Sequence, residues 1–137
     1  MHPDQAAIIA VHHQVAATFS ALDLAGFRQC YRLPCQMITP QGVSVATTDA
    51  EFDSFFRPLM EQLRRNDFGR SELREIYVRV QADNIAIAST HWVRYRKNGS
   101  ELEQLGATYT MTKFAGEWRI VSLMAHDSAA MLRLDRA

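Results

Sequence analysis

Cysteine is scarce, with only Cys30 and Cys35 in 137 residues. Two thiols make no disulfide scaffold, and a helix-to-strand separation between them disfavours a bond, so both are expected to be reduced. They are not at Cys-x-x-Cys spacing. His12 and His13 are adjacent and would project about 100° apart on a helix, so they cannot form an i, i+4 metal pair. With no His-Glu-x-x-His motif either, neither a metal nor a cofactor is expected. No glycine-rich phosphate loop and no Gly-x-Ser-x-Gly elbow occurs, which removes support for nucleotide binding and serine-hydrolase chemistry. Charge of one sign is not in excess: 15 Lys and Arg face 15 Asp and Glu. The usual electrostatic footprint for nucleic acid or acidic lipid is therefore missing. The longest apolar run, residues 6–11, falls far short of the ~20 residues a membrane helix needs. It has no basic flank, so a secretory leader is not expected. The composition, 47% hydrophobic and 22% charged, points to one soluble cytoplasmic domain spanning 1–137.

The chain opens with helical periodicity. Ile8, Val11, Val15, Phe19 and Leu22 mark one stripe of a helix over 4–22. A shorter helix over 23–32 carries Leu24, Phe27, Cys30 and Tyr31, and Pro34 ends it because proline disfavours helical geometry before it. A short strand at 35–39, a Pro40-Gln41-Gly42 turn and a returning strand at 43–46 follow. Thr48 and Glu51 have capping-box spacing and open a third helix to about Asn66. Beyond Gly69 the period becomes two: four long strands are expected between about Leu73 and His126, with turns at Asp83-Asn84, Asn98-Gly99 and Ala115-Gly116. The tail 128–134 reads as a last helical turn or two, with Asp127 helping to start it. Helices first and hairpins afterwards argue α+β, with three N-terminal helices packed on a curved antiparallel sheet.

In the last strand, simple alternation puts Trp118, Ile120 and Met124 on one face and Val121, Leu123 and Ala125 on the other. Helices in so short a chain cover one side only, so the outer face is expected to meet a second copy, as a homodimer.

This order of elements resembles the nuclear transport factor 2-like superfamily over almost the whole chain. The residues that carry the likeness are Ala21-Leu22-Asp23-Leu24 between the first helices, Thr39-Pro40-Gln41-Gly42 after the first strand, and Gly116-Glu117-Trp118-Arg119-Ile120 opening the last. The resemblance implies a cystatin-like cone, with a curved sheet wrapping the long helix around an apolar pocket, and dimers through the sheet's outer face. It does not imply one function, because the scaffold hosts enzymes, binders and adaptors. The isomerase-like pattern has a carboxylate base just before the Pro-x-Gly turn, where this chain has Thr39, and a tyrosine donor near position 15, where it has Val15. Threonine is no base near neutral pH and valine donates no hydrogen bond, so steroid-isomerase chemistry is disfavoured.

His91 and Tyr95 are the candidate catalytic pair, since residues two apart on a strand share a face and a pocket histidine can move protons. The bland alternative is a sheet histidine that is hydrogen-bonded or faces a partner. With the opposite alternation, Trp92 and Arg94 enter the pocket instead and Arg94 favours an anionic ligand. The expected ligand-binding wall is Val15, Phe19, Phe55, Phe56, Leu59, Met60 and Tyr109, with His126 at the mouth. Three functions compete: a binding protein for a small apolar molecule, a lyase, isomerase or cyclase acting on an apolar ring compound, and a dimeric protein-interaction module.

Overall fold

The computed structural model describes residues 2–134. Helix α1 (Gln5–Ser20) and the short α2 (Leu24–Arg28) precede strands β1 (Tyr31–Thr39) and β2 (Gly42–Ala46). Helix α3 (Asp49–Arg65) follows, then β3 (Phe68–Ala82), β4 (Ile85–Arg96), β5 (Glu101–Phe114), β6 (Glu117–His126) and a 3-10 turn, Ser128–Ala130. The six strands form one sheet in the order β2-β1-β6-β5-β4-β3. Every neighbouring pair is antiparallel except β1 with β6, which run parallel. The helices lie on the concave face of this curved α+β sheet.

Local chemistry explains the boundaries. The Thr48 hydroxyl accepts from the Glu51 N–H at 3.2 Å, and the Glu51 carboxylate accepts from the Thr47 N–H at 2.9 Å, closing a capping box one residue wider than usual. The Thr47 hydroxyl, donating to the Glu51 carboxylate at 2.6 Å, and then the Thr47 N–H hold that carboxyl below its ordinary range. Asp67 leaves α3 with φ 62°, and the Ala115-Gly116 turn has φ 53° and 80°, the doubly positive geometry of a tight hairpin. Asp127 starts the last turn by accepting from the Ala129 N–H at 2.8 Å. Asp4 does not cap α1 through its side chain; its carboxylate pairs with Lys113 at 3.0 Å.

Helix α1 buries Ile8, His12, Val15 and Phe19, and α3 buries Phe52, Phe56, Met60 and Leu63. Phe52, wholly buried, touches Tyr31 and Phe56 at ring-centroid distances of 5.0 and 4.7 Å. Phe27 joins the same cluster, 4.9 Å from Phe56.

Three readings of the sequence need correction. The second helix stops at Arg28, and β1 already begins at Tyr31, with Pro34 inside the strand. Phe27 and Tyr31 do touch, at 5.3 Å, so their spacing marked a contact but not a helix. The strand region also starts earlier than Leu73, at Phe68. The third correction concerns β6. Thr110 pairs with Ser122 while Met111 pairs with Ile120, so Val121 is an extra residue that breaks the alternation. Ile120 and Leu123 consequently share the concave side, and Met124 lies on the outer face. Much of the two-sided apolarity of this strand is thus the signature of a bulge.

The outer face is partly covered by the chain itself. Ser89 and Val93 point outward by alternation yet are fully buried. The segment after β6 returns over this side: the Leu132 N–H donates to Ser89 Oγ at 2.8 Å, and Arg133 pairs with Glu75 at 3.0 Å. Ser89 and Thr108 hydroxyls bond at 2.8 Å, and Thr108 bonds His126 Nε2 at the same distance. The His126 ring lies against Gly106, where a Cβ would come within 2.5 Å of it. No helix among the described residues is long and apolar enough to cross a membrane.

Candidate functional site

A cavity of about 210 Å³ opens between the three helices and the concave sheet face. Of the expected wall, Val15, Phe19, Phe55, Phe56, Leu59 and Tyr109 line it. Two expected residues do not. Met60 is buried in the core on α3's inner stripe, and His126 lies beyond the β6 bulge on the outer face, bonded to Thr108 and to the Asp127 carbonyl.

The expected catalytic pair is also turned away. Trp92 and Arg94 line the cavity, so on the alternating β4 strand His91 and Tyr95 occupy the outer face. There His91 Nε2 bonds Gln104 Oε1 at 2.7 Å. The Tyr95 hydroxyl accepts from Arg74 at 2.7 Å, and its ring carries the Arg70 guanidinium 4.2 Å from its centroid. Strand alternation is binary, and the inverted alternative is the one the chain adopts. Trp92, a large aromatic beside Val93, was the available signal: an indole gains more by joining the core, where it is buried, than by facing outward.

Among the described residues, Arg94 is the single charged one lining the cavity. Its side chain is only 12% exposed, and its Nη1 donates to Glu103 Oε2 at 2.8 Å. Its guanidinium carbon stands 5.2 Å from the Phe19 ring centroid, over a residue of the cavity wall. Glu103 sits opposite Arg94 on β5, and its side chain is 46% exposed.

The remaining polar groups are neutral. Burial pushes the phenols of Tyr31 and Tyr109 well above their ordinary range, so both stay protonated and act as hydrogen-bonding hydroxyls. The Trp92 indole N–H is buried with no partner that meets full hydrogen-bond geometry. Thr39 and Val15, at the base and donor positions of the isomerase-like pattern, both line the cavity. The position is kept and the chemistry is not. Behind the wall, His12 packs 4.6 Å from the Tyr109 ring and places Nε2 3.1 Å from the Met111 sulfur. Burial lowers its pKa to about 3, so it is neutral at any ordinary pH. Among the described residues, no carboxylate, histidine or cysteine lines the cavity. Nor is any group of three or more His, Cys, Asp or Glu gathered as a metal would need among the described residues.

Comparison with known proteins places this geometry. The family model described as NTF2-like protein (DUF6841) matches residues 6–128. No curated protein matches the sequence significantly. Among solved structures, a protein of unknown function with a cystatin-like fold from Nostoc punctiforme superposes with a TM-score of 0.77 at 9% identity, covering 98% of each chain. Aln2 from a Streptomyces species gives 0.76 at 14% identity over 94% of each chain. An NTF2-like protein from Novosphingobium aromaticivorans gives 0.73 at 15% identity, covering 89% of this chain and 80% of its own. At these identities the structures share the fold alone. The family match, extending over most of the sequence, goes further: this chain belongs to the NTF2-like family that the model describes.

Proposed function

We propose that the protein binds a small, largely apolar molecule in its cavity and carries out no acid–base chemistry on it. The observation that carries this reading is the wall itself: aromatic and aliphatic side chains, protonated phenols, one guanidinium and, among the described residues, no group that accepts a proton near neutral pH. A general base must sit within hydrogen-bond reach of the proton it takes, and the two histidines of the sheet lie on the other face. The cavity has the character of a pre-formed ligand site, apolar with few polar groups. It suits a compound of one or two fused rings, held by dispersion and area burial.

Naphthalene-2-carboxamide is a neutral probe of that size, and Trp92 in the wall reports its arrival. Saturable quenching of tryptophan fluorescence at one probe per chain is expected, and Ala125→Phe, which projects a ring into the cavity, should weaken it at least tenfold. Quenching that does not saturate, or that Ala125→Phe leaves unchanged, would overturn the reading.

The same reading includes a homodimer and a cytoplasmic setting, the latter supported by Cys30 and Cys35, both buried free thiols. For the dimer the support is at one end of the outer face. Val43, Ile38 and Met124 lie side by side across β2, β1 and β6, with Val43 60% and Met124 45% exposed, and Val45 on the same side is 56% exposed. Sedimentation at micromolar concentration should give twice 15.6 kDa, and Met124→Lys should shift it toward the monomer. A single 15.6 kDa species in the unmodified protein would remove the dimer.

A further inference from the structure

We infer that the ligand of this cavity carries a carboxylate, held by Arg94, and that Glu103 occupies the guanidinium until the ligand displaces it. The inference rests on the binding reading above and names the chemistry of its ligand. A guanidinium has five N–H donors in a planar fork. Arg94 engages one protein acceptor, Glu103 Oε2, through Nη1. Its other nitrogens are not among the buried atoms left without a partner, so they open onto accessible space, and the residue borders the cavity.

An apolar wall is a costly setting for a charge that only needs a surface partner. Holding a guanidinium at 12% exposure against Phe19 gives up hydration. A ligand acceptor at this end of the cavity restores it, because charge-assisted bonds are strongest where water is excluded. The ion pair is asymmetric in the way a displaceable partner requires: Arg94 is fixed between Phe19 and its strand, whereas the Glu103 side chain is 46% exposed and can turn into water. Glu103 then behaves as a stand-in for the ligand's own anion. The class is a carboxylate rather than a phosphate. One guanidinium balances one negative charge, no other cation among the described residues lines the cavity, and a phosphate dianion would enter with a charge left unpaired. The ligand is therefore a small aromatic or alicyclic carboxylic acid whose ring body fills the space bordered by Phe55, Leu59 and Leu105.

The test is a matched pair of probes, naphthalene-2-carboxylate and naphthalene-2-carboxamide, titrated at neutral pH into the full chain. The carboxylate is expected to bind roughly 10- to 100-fold more tightly, the range of a charge-assisted bond over a neutral one. In Arg94→Met the ratio of the two affinities should collapse toward one. Arg94→Lys, which keeps the charge and loses the fork, should give an intermediate ratio and guards against a folding defect in the first variant. Glu103→Gln should tighten the carboxylate, since its competitor is gone. Equal affinity for the two probes, or a preference that survives Arg94→Met, overturns the carboxylate inference and leaves the cavity reading intact. Failure of both probes to bind overturns the two together.

Discussion

Acidification from neutral pH to about pH 4 is expected to remove about 3 kcal/mol of stability through His12 alone. In the native state its pKa is lowered from 6.5 to about 3, first because burial disfavours the imidazolium and then because His13 repels it. The unfolded chain takes up a proton on this residue below pH 6.5, and the native chain does not until about pH 3. The unfolded state therefore binds more protons throughout that window, and stability falls as pH falls, at about 1.4 kcal/mol per pH unit. Above pH 6.5 both states are neutral and the contribution vanishes. Native-state hydrogen bonds also hold the Glu51 and Glu75 carboxyls below their ordinary range, and these groups lose stability in acid by the same sign. The His12 share is isolated by comparison: His12→Phe removes the titration while keeping an aromatic ring beside Tyr109 and Met111. Urea unfolding at several pH values should show the native protein losing stability more steeply than the variant, by about 3 kcal/mol at pH 4. Parallel slopes would contradict this, as would a His12 imidazole resonance that titrates near 6.5 in the folded protein.

His12 also shows what the sequence hid. Read as a polar neighbour of His13, it drops out of the helix stripe, although 8, 12, 15 and 19 are spaced by four, three and four, as a buried face requires. The first and third helices, the capping box and the tight turns were legible because each is settled by residues a few positions apart. What was not legible depends on partners far away in the chain. The bulge at Val121 exists because two stretches of β5 and β6 pair in registers that differ by one, and no residue near position 121 signals it. The face of β4 is a similar case. His91 and Trp92 differ by one step, and the choice between them is made by α1 and Phe19 from another part of the chain. The apolar wall from α1 and α3 was readable, since helical spacing marks the apolar faces and the resemblance implies that the third helix roofs the pocket; Phe19, Phe55, Phe56 and Leu59 line it, and Met60 does not. The polar end was not, because it rests on the parity of one strand. Arg94 entered only as the consequence of the opposite alternation, and that is where the site's chemistry lies.

Phe52→Ala is expected to lower the unfolding free energy by about 3–5 kcal/mol, the usual cost of emptying a phenylalanine site in a close-packed core. The side chain is wholly buried, and its ring meets Phe56 at 4.7 Å, Tyr31 at 5.0 Å and Phe27 at 5.9 Å. Each tilted or edge-on aromatic pair adds about 0.5–1.5 kcal/mol beyond area burial, which places this site toward the upper end of the range. Phe52 does not border the cavity, but the three rings it supports all do. Truncation leaves a void behind the wall into which those rings can relax, and a wall that moves holds a ligand less well than a pre-formed one. Phe52→Ala should therefore lose stability and also weaken naphthalene-2-carboxamide binding at least several-fold. Arg94 and Glu103 lie outside that aromatic cluster, so the preference for the carboxylate probe should persist in whatever folded protein remains. Phe52→Leu, which conserves most of the volume, should cost less than about 1.5 kcal/mol and keeps the comparison available if the alanine variant falls below the threshold for folding. Chemical denaturation and probe titration on the same preparations check both halves. A loss under about 1 kcal/mol in Phe52→Ala would mean that the rings close over the gap without cost. Unchanged probe affinity in a destabilised Phe52→Ala would mean that the cavity wall does not rest on the cluster behind it.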